Sequence, residues 1–145
     1  MIRVDRDVVV ARPPEVVFDY LADVPRFPQW QPAIERAEQV TPGPLGPGSR
    51  LRLVVRAPTG PTDVVAEIVS MERPSLLGVR SLGGPAKVEA ECSIRSEGAG
   101  SRLRLTAMIE LTGMLRFVEG AARKIVDREV PATLAELARR IEAET

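Results

Sequence analysis

The chain of 145 residues contains no histidine. This absence excludes Ser-His-Asp and Cys-His catalysis and every metal site that needs an imidazole ligand. Cys92 is the only cysteine, so no disulfide can form within the chain, and a reducing compartment such as the cytoplasm is expected. The carboxylates are scattered along alternating segments, so we predict neither a metal site nor a cofactor.

Neither sign of charge is in excess. Lys and Arg total 20 and are balanced by 20 Asp and Glu, so the basic face that nucleic-acid binding requires is missing. No stretch approaches roughly 18 uninterrupted apolar residues, and we predict no membrane span. The opening segment, MIRVDRDVVV, carries charges inside its apolar run and indicates a strand rather than a signal peptide.

The remaining composition is ordinary for one globular domain, which we expect to span residues 1–145. Apolar residues make up 44% of the chain and charged residues 28%. A chain of this length buries roughly 68–70% of its unfolded surface on folding, which is enough for a stable core.

Alternation of apolar and polar residues predicts a series of strands. The clearest cases are 87–95 and 102–111, where every second residue is apolar and its neighbours are charged or polar. The intervening segments are too short for helical crossovers, so neighbouring strands are expected to be antiparallel. The expected strands are 2–11, 34–40, 50–56, 64–68, 76–82, 87–95 and 102–111.

Helices are predicted after the first strand and at the end of the chain. Pro14 can open a short helix that runs to Ala22, and a second helical turn is expected within 27–32. After Gly113 a long helix carries one apolar stripe at helical spacing. Its members are Val126, Val130, Leu134, Leu137 and Ile141. The resulting β-α-α-β6-α order predicts an α+β fold in which a curved antiparallel sheet of about seven strands wraps around the C-terminal helix.

Pro131 lies inside that helix, where it removes a hydrogen bond and clashes with the preceding turn. The apolar residues before it, from Met114 to Ile125, point about a third of a turn away from the later stripe. We therefore expect a kink or twist at 127–131, with the first half of the helix covering a pocket mouth. The alternative is one gently bent helix.

Residues 11–23, ARPPEVVFDYLAD, followed by FPQWQP at 27–32, resemble the START-like (SRPBCC) superfamily, which includes birch-pollen-allergen-like proteins and the polyketide cyclase/dehydrase family. The hairpin 98–105 and the closing helix at 134–137 are similar as well, so the resemblance covers nearly the whole chain. It implies the helix-grip fold and a cavity between sheet and helix for a lipid-like or polyketide-like molecule. It carries over no catalytic residue, because no catalytic motif of the family matches here.

Two candidate cavity residues lie on the early helices and on a central strand. Trp30 either packs at the base of the short helices, with its indole N–H bonded locally, or forms a ligand platform. Arg80 belongs to a strand that is apolar on both faces, so it points either into the cavity, where it would need a partner, or outward.

The other candidates are on the long helix. Met114 and Phe117 either close the pocket or make ordinary contacts. Glu119 and Arg123, four residues apart, can pair across one turn. They either project into the cavity, where they could hold a ligand carbonyl or carboxylate, or face solvent.

Three functions remain open from the sequence. The first is binding of a small hydrophobic ligand, the second a polyketide cyclase or dehydratase using the same cavity, and the third a protein-interaction module. A homodimer is left open as well.

Overall fold

The computed structural model describes residues 1–57 and 60–144. The sequence Pro58-Thr59-Gly60-Pro61 predicts a turn. Pro58 and Thr59 lie outside the described residues. The strands and helices, in chain order, are β1 (Ile2–Val10), α1 (Pro14–Leu21), α2 (Phe27–Trp30), β2 (Ile34–Gln39), β3 (Arg50–Ala57), β4 (Gly60–Glu72), β5 (Leu76–Ser81), β6 (Ala86–Glu97), β7 (Gly100–Leu111) and α3 (Glu119–Glu142). Two 3₁₀ segments, Val24–Arg26 and Gly113–Val118, precede α2 and α3.

Within the described ranges, seven strands form one antiparallel sheet in the order β1-β7-β6-β5-β4-β3-β2. Strands β2 to β7 follow one another as hairpins, whereas β1 pairs with the last strand, Ile2 opposite Ile109. β4 extends beyond the predicted 64–68 at both ends. Pro61, near its start, lies opposite Arg56 of β3 and does not interrupt the strand. This order and pairing confirm the predicted fold class, the helix-grip arrangement.

The inner face of the sheet is the side that bears Leu51, Ile68 and Leu103, and these residues are almost completely buried. They form the core together with residues of the helices. The helix residues in this core are Val17, Phe18, Tyr20, Leu21, Phe27, Leu134, Leu137, Ala138 and Ile141. The opposite side, which we call the outer face, carries most of the charged strand residues.

The 3₁₀ segment that leads into α3 begins at Gly113, whose φ of +60° is a conformation that favours glycine. α3 is assigned as helix without interruption through Pro131. Burial changes at that point, however. All four buried residues of α3 follow Pro131, while Ile125 before it is 51% exposed. The second half of α3 therefore packs in the core, whereas the first half is largely exposed to solvent.

Candidate ligand-binding concavity

The inner face is apolar along nearly its whole width. Strand register places Ile2, Ile109 and Val88 in one row, and Val4, Ala107, Ala90, Val79 and Ile68 in the next. The polar residues of inward register, such as Ser81 and Ser101, have hydrogen-bond partners nearby. Ser81 Oγ accepts from the Val88 N–H at 2.9 Å, and Ser101 Oγ donates to the Arg12 carbonyl at 2.6 Å. This face offers a ligand a surface of aliphatic side chains.

Several inner-face residues of the central strands are only half-buried, and five of them we call the inner-face patch: Val79, Val88, Ala90, Leu105 and Ile109. Strands β5, β6 and β7 each have a hydrogen-bonded neighbour on both sides. Part of their accessible surface lies on the outer side of the sheet, where Val88 lines a depression of about 580 Å³ and Val79 and Ala90 line one of about 550 Å³. Leu105 and Ile109 line neither of these two depressions. An incompletely covered apolar patch inside a curved sheet is the usual form of a site for a small apolar molecule.

The 3₁₀ segment that leads into α3 exposes its large apolar side chains instead of packing them on this patch. α3 packs chiefly along β1, at the edge of the sheet. Met114 and Phe117, in the 3₁₀ segment before α3, are 84% and 82% exposed. The ordinary buried contacts considered for these two residues are not present. Whether they close over a ligand stays a prediction.

Glu119 and Arg123 lie together at the start of α3, where both contact Met1. The Glu119 carboxylate accepts a hydrogen bond from the Met1 amino group, and Arg123 donates to the Met1 carbonyl at 3.0 Å. Nη2 of Arg123 lies 3.8 Å from Oε2 of Glu119. The bond from the Met1 ammonium, supported by the charge of Arg123, lowers the pKa of Glu119. Through these bonds the pair links the start of α3 to Met1, the residue before β1. A role of Glu119 and Arg123 in holding a ligand stays a prediction.

Arg80 lies on the outer face, opposite Glu67 on β4 and Glu89 on β6. It donates to the Glu67 carboxylate at 3.0 Å and is exposed. Its apolar neighbours Leu77 and Val79 take the inward register. Arg80 and Met108 also line outer-face depressions of about 580 and 550 Å³. Arg80 therefore stands on the side of the sheet opposite the concavity.

Trp30 is the last residue of α2, which packs against β2 and α3. Its ring meets the Phe27 ring edge-on, with 6.0 Å between centroids, and it packs against the core. The local partner expected for its indole N–H is missing, since Nε1 is buried and contacts no acceptor among the residues that the structure describes.

Cys92 has inward register between Leu77 and Leu105. Burial, with a smaller contribution from the negative charge of Glu91, raises the pKa of its thiol to about 12. The thiol is therefore protonated at neutral pH and is a poor nucleophile. Cys92 is half-buried and packs against the core as a small apolar residue.

Arg6 was missed by the sequence reasoning. It has inward register on β1, opposite Leu105, and it is exposed beside a crevice of about 220 Å³ that Val126, Asp127 and Val130 of α3 also line. It is the one charged residue of inward register within 1–57 and 60–144. The sequence did contain a signal for Arg6. It interrupts an apolar series, because the residues two positions before and two positions after it are Val4 and Val8.

Residues 1–142 match the family described as polyketide cyclase / dehydrase and lipid transport. The chain belongs to this family. No curated protein sequence matches the chain significantly. The family assignment therefore depends on the match over residues 1–142, and the fold agrees with it.

Solved structures share this family member's fold at low sequence identity. A Mycobacterium smegmatis protein of the START superfamily has a TM-score of 0.81 at 20% identity, covering 99% of each chain. A Thermus thermophilus protein, TTHA0849, has a TM-score of 0.80 at 23% identity and 97% of each chain. The Zhui aromatase/cyclase of a Streptomyces species has a TM-score of 0.76 at 20% identity, covering 97% of this chain and 93% of that one.

Across 1–57 and 60–144 no group of three or more Cys, Asp or Glu side chains is placed to bind a metal ion. Among the described helices, none combines the length and the hydropathy needed to cross a membrane.

Proposed function

We propose that this protein binds a small, predominantly apolar molecule, of lipid or polyketide type, against the inner-face patch. Family membership and fold support a ligand-binding or polyketide cyclase-type role. The observation that carries the choice of binding is the half-buried state of Val88, Ile109 and their neighbours in the middle of a seven-stranded sheet. Aliphatic residues in such positions are normally covered by the protein itself.

Burial of the ligand's apolar surface would provide the binding energy. Each methylene group removed from water contributes about 0.8 kcal/mol, so a ligand with six to eight buried carbons offsets the entropic cost of association. A ligand whose body is charged is disfavoured, because the five patch residues are apolar. Arg6, opposite Leu105, is a cation of inward register that could pair with a negative group at one end of a ligand.

Two neighbouring residues of β7 allow a matched test. Ile109 belongs to the patch, whereas Met108 lies on the outer face and is 41% exposed. With the neutral fluorescent probe N-phenyl-1-naphthylamine, Ile109→Glu is expected to weaken binding at least about 10-fold, since a carboxylate enters an apolar site. Met108→Glu is expected to leave the affinity unchanged.

Circular dichroism of both variants establishes that they are folded, and Val88→Glu serves as a second patch variant if Ile109→Glu does not fold. Equal effects of the inner and outer substitutions, or no binding of the probe to the unmodified protein, would contradict the proposal. Native mass spectrometry of freshly purified protein tests it independently, since a co-purified apolar molecule is expected.

A polyketide cyclase-type activity is the second candidate, and Arg6 is the observation that favours it. A guanidinium of inward register could stabilise the negative charge that develops on a carbonyl oxygen during ring closure. With a short poly-β-ketone thioester, this function predicts a cyclised product by mass spectrometry and its loss in Arg6→Gln. Product formation no faster than without protein would exclude the activity for that substrate class.

A cytoplasmic location and the absence of nucleic-acid partners belong to the same proposal. The single cysteine and the balance of charges support them. The third function, a protein-interaction module, would be favoured instead if the patch bound no small molecule and one stoichiometric protein partner were recovered with the unmodified chain but not with Ile109→Glu.

A further inference from the structure

Arg6 brings a positive charge to the margin of the inner face. It lies on β1 directly opposite Leu105 of the inner-face patch, and neighbouring strands are about 4.8 Å apart. The residues that share its register on β1, Val4 and Val8, are apolar. An arginine side chain is long enough to span that distance, so a molecule that lies on Leu105 is within reach of the guanidinium.

Among the residues that the structure describes, no carboxylate forms an ion pair with Arg6. The two acids beside it on β1 are held by arginines of β7 on the outer face. Asp5 accepts hydrogen bonds from Arg104 at 2.8 and 2.7 Å. Asp7 pairs with Arg102 at 3.1 Å. Arg6 itself is exposed, so its donors are accessible to an external partner.

A crevice of about 220 Å³ between β1 and α3 offers space for such a partner. Arg6 lines it from the strand, and Val126 and Val130 form an apolar wall on the helix. At roughly 30 Å³ for a water-sized group, it has room for about seven such groups, enough for a small anion and the first atoms of a chain. The rest of the chain can continue over Leu105, next to Arg6 on the neighbouring strand.

The charges around the crevice favour a partner with one negative charge. The lining contains two cations, Arg3 and Arg6, and two anions, Asp5 and Asp127. Asp5 is neutralised by Arg104, so one positive charge remains in excess. A phosphate monoester, with almost two negative charges at neutral pH, is a poorer match than a carboxylate. A guanidinium also presents parallel N–H donors that fit both oxygens of a carboxylate.

We propose that Arg6 pairs with a carboxylate at one end of the ligand while the apolar remainder covers the inner-face patch. This inference rests on the proposed function and narrows the ligand class to monocarboxylic acids with an apolar body, as opposed to neutral lipids. The ion pair orients the molecule, and the aliphatic surface provides most of the affinity. The pairing belongs to the bound state and requires no reaction.

Two ligands with the same chain length separate the head group from the apolar body. Dodecanoate carries a carboxylate, and 1-dodecanol carries a neutral hydroxyl group. Each is titrated against the protein loaded with N-phenyl-1-naphthylamine, and the ratio of the two affinities is the carboxylate preference. At pH 7.5 and low salt we expect a preference of about 3- to 10-fold, as for a charge-assisted pair near the surface. The preference should shrink in 0.5 M NaCl, because salt screens accessible charges.

Two substitutions with the same change in net charge separate Arg6 from the overall field of the protein. Arg6→Gln is expected to abolish the carboxylate preference and to leave the affinity for 1-dodecanol within about 2-fold. Arg95→Gln is the matched control, since Arg95 is exposed on the outer face, opposite Arg102, and its loss should leave the preference unchanged. Arg6→Lys keeps the charge but loses the planar fork, so it should retain part of the preference. Circular dichroism shows whether the variants are folded.

The outcomes distinguish this inference from the proposed function. If both ligands displace the probe from the unmodified protein with equal affinity, apolar binding stands and the ion pair is wrong. The ion pair is also wrong if Arg95→Gln lowers the preference as much as Arg6→Gln does. A preference that survives in Arg6→Gln, with self-association of that variant in gel filtration, would assign Arg6 to protecting the sheet edge instead. If the unmodified protein binds neither the probe nor the two ligands, the proposed function is contradicted, and the inference fails with it.

Discussion

The two halves of α3 differ in what they pack against, although they belong to one continuous helix. After Pro131, Leu134, Leu137 and Ile141 are at most 4% exposed and lie in the core with α1 and α2. Before it, Ile125 is about half exposed. In the 3₁₀ segment leading into the helix, Val118 is also about half exposed and Phe117 is exposed even more.

The second half of α3 stabilises the fold, whereas the first half lies on the side where we propose that a ligand binds. The closed half holds the sheet and the short helices together, so it tolerates little change in volume. The open half leaves aliphatic surface on the inner face incompletely covered, which is unfavourable for the empty protein and useful only if a partner molecule covers it. The following experiments test whether the division is as sharp as the structure indicates.

The largest effect is expected in the closed half. Leu137 is 1% exposed, and Leu137→Ala removes buried methyl groups and leaves a cavity. We expect a loss of about 2–5 kcal/mol in the free energy of unfolding, measured by urea denaturation. A loss below about 1 kcal/mol would show that this half is loosely packed as well.

The reactivity of Cys92 tests how well the inner face is covered between buried Leu77 and half-buried Leu105. Since its pKa is raised to about 12, the thiolate population at pH 8 is roughly one in ten thousand, against roughly a quarter for an ordinary thiol. Alkylation by iodoacetamide at pH 8 is expected to be roughly a thousand times slower in the folded protein than in urea. Similar rates in both conditions would show that the Cys92 thiol is in contact with solvent in the folded protein.

A smaller effect is expected for the ion pair between α1 and the turn after β4. Arg73 donates two hydrogen bonds of 2.9 Å to Asp19, and these bonds, followed by the attraction of the charges, lower the pKa of the Asp19 carboxyl. Its stabilising contribution is therefore complete above the unfolded pKa, about 3.9, and is lost as the pH falls through the lower folded pKa.

Asp19→Asn tests this contribution. Both side chains are more than half exposed, so we expect a loss of at most about 1 kcal/mol at pH 7 and a weaker dependence of stability on pH below about 4. Denaturant titrations at pH 7 and pH 3 measure both quantities. An equal destabilisation at the two pH values would assign the effect to something other than the carboxylate charge.

The smallest effect on stability is expected in the 3₁₀ segment that leads into the open half. Phe117 is 82% exposed, so Phe117→Ala removes few contacts and should change the free energy of unfolding by less than about 0.5 kcal/mol. The same urea titration as for Leu137→Ala provides the comparison. A loss above about 1 kcal/mol would show that Phe117 packs against the protein in solution.

The sequence was sufficient for the fold because its signals are local. Period-2 alternation located the strands, and Pro14 and Gly113 marked the starts of helical segments. The face of Arg80 could not be decided, since Leu76 and Leu77 make both faces of β5 apolar and only the register with Glu67 and Glu89 settles it.

The site was less predictable than the fold. The unpaired state of the Trp30 donor depends on which acceptors the tertiary structure brings near it, and no spacing in the sequence encodes that. Arg6 was visible in principle as a charge within an apolar series, but at the edge of a sheet such a charge can equally serve to prevent unwanted pairing.

The pairing of β1 with β7 has a consequence for biosynthesis. The first strand leaves the ribosome as a hydrophobic edge, and its hydrogen-bonding partner is synthesised about a hundred residues later. At roughly 5–20 residues per second, this interval lasts several seconds. During that time Val8, Val9 and Val10 are available for intermolecular association, and the charges of Asp5 and Asp7 beside them are the protection that the nascent chain carries with it.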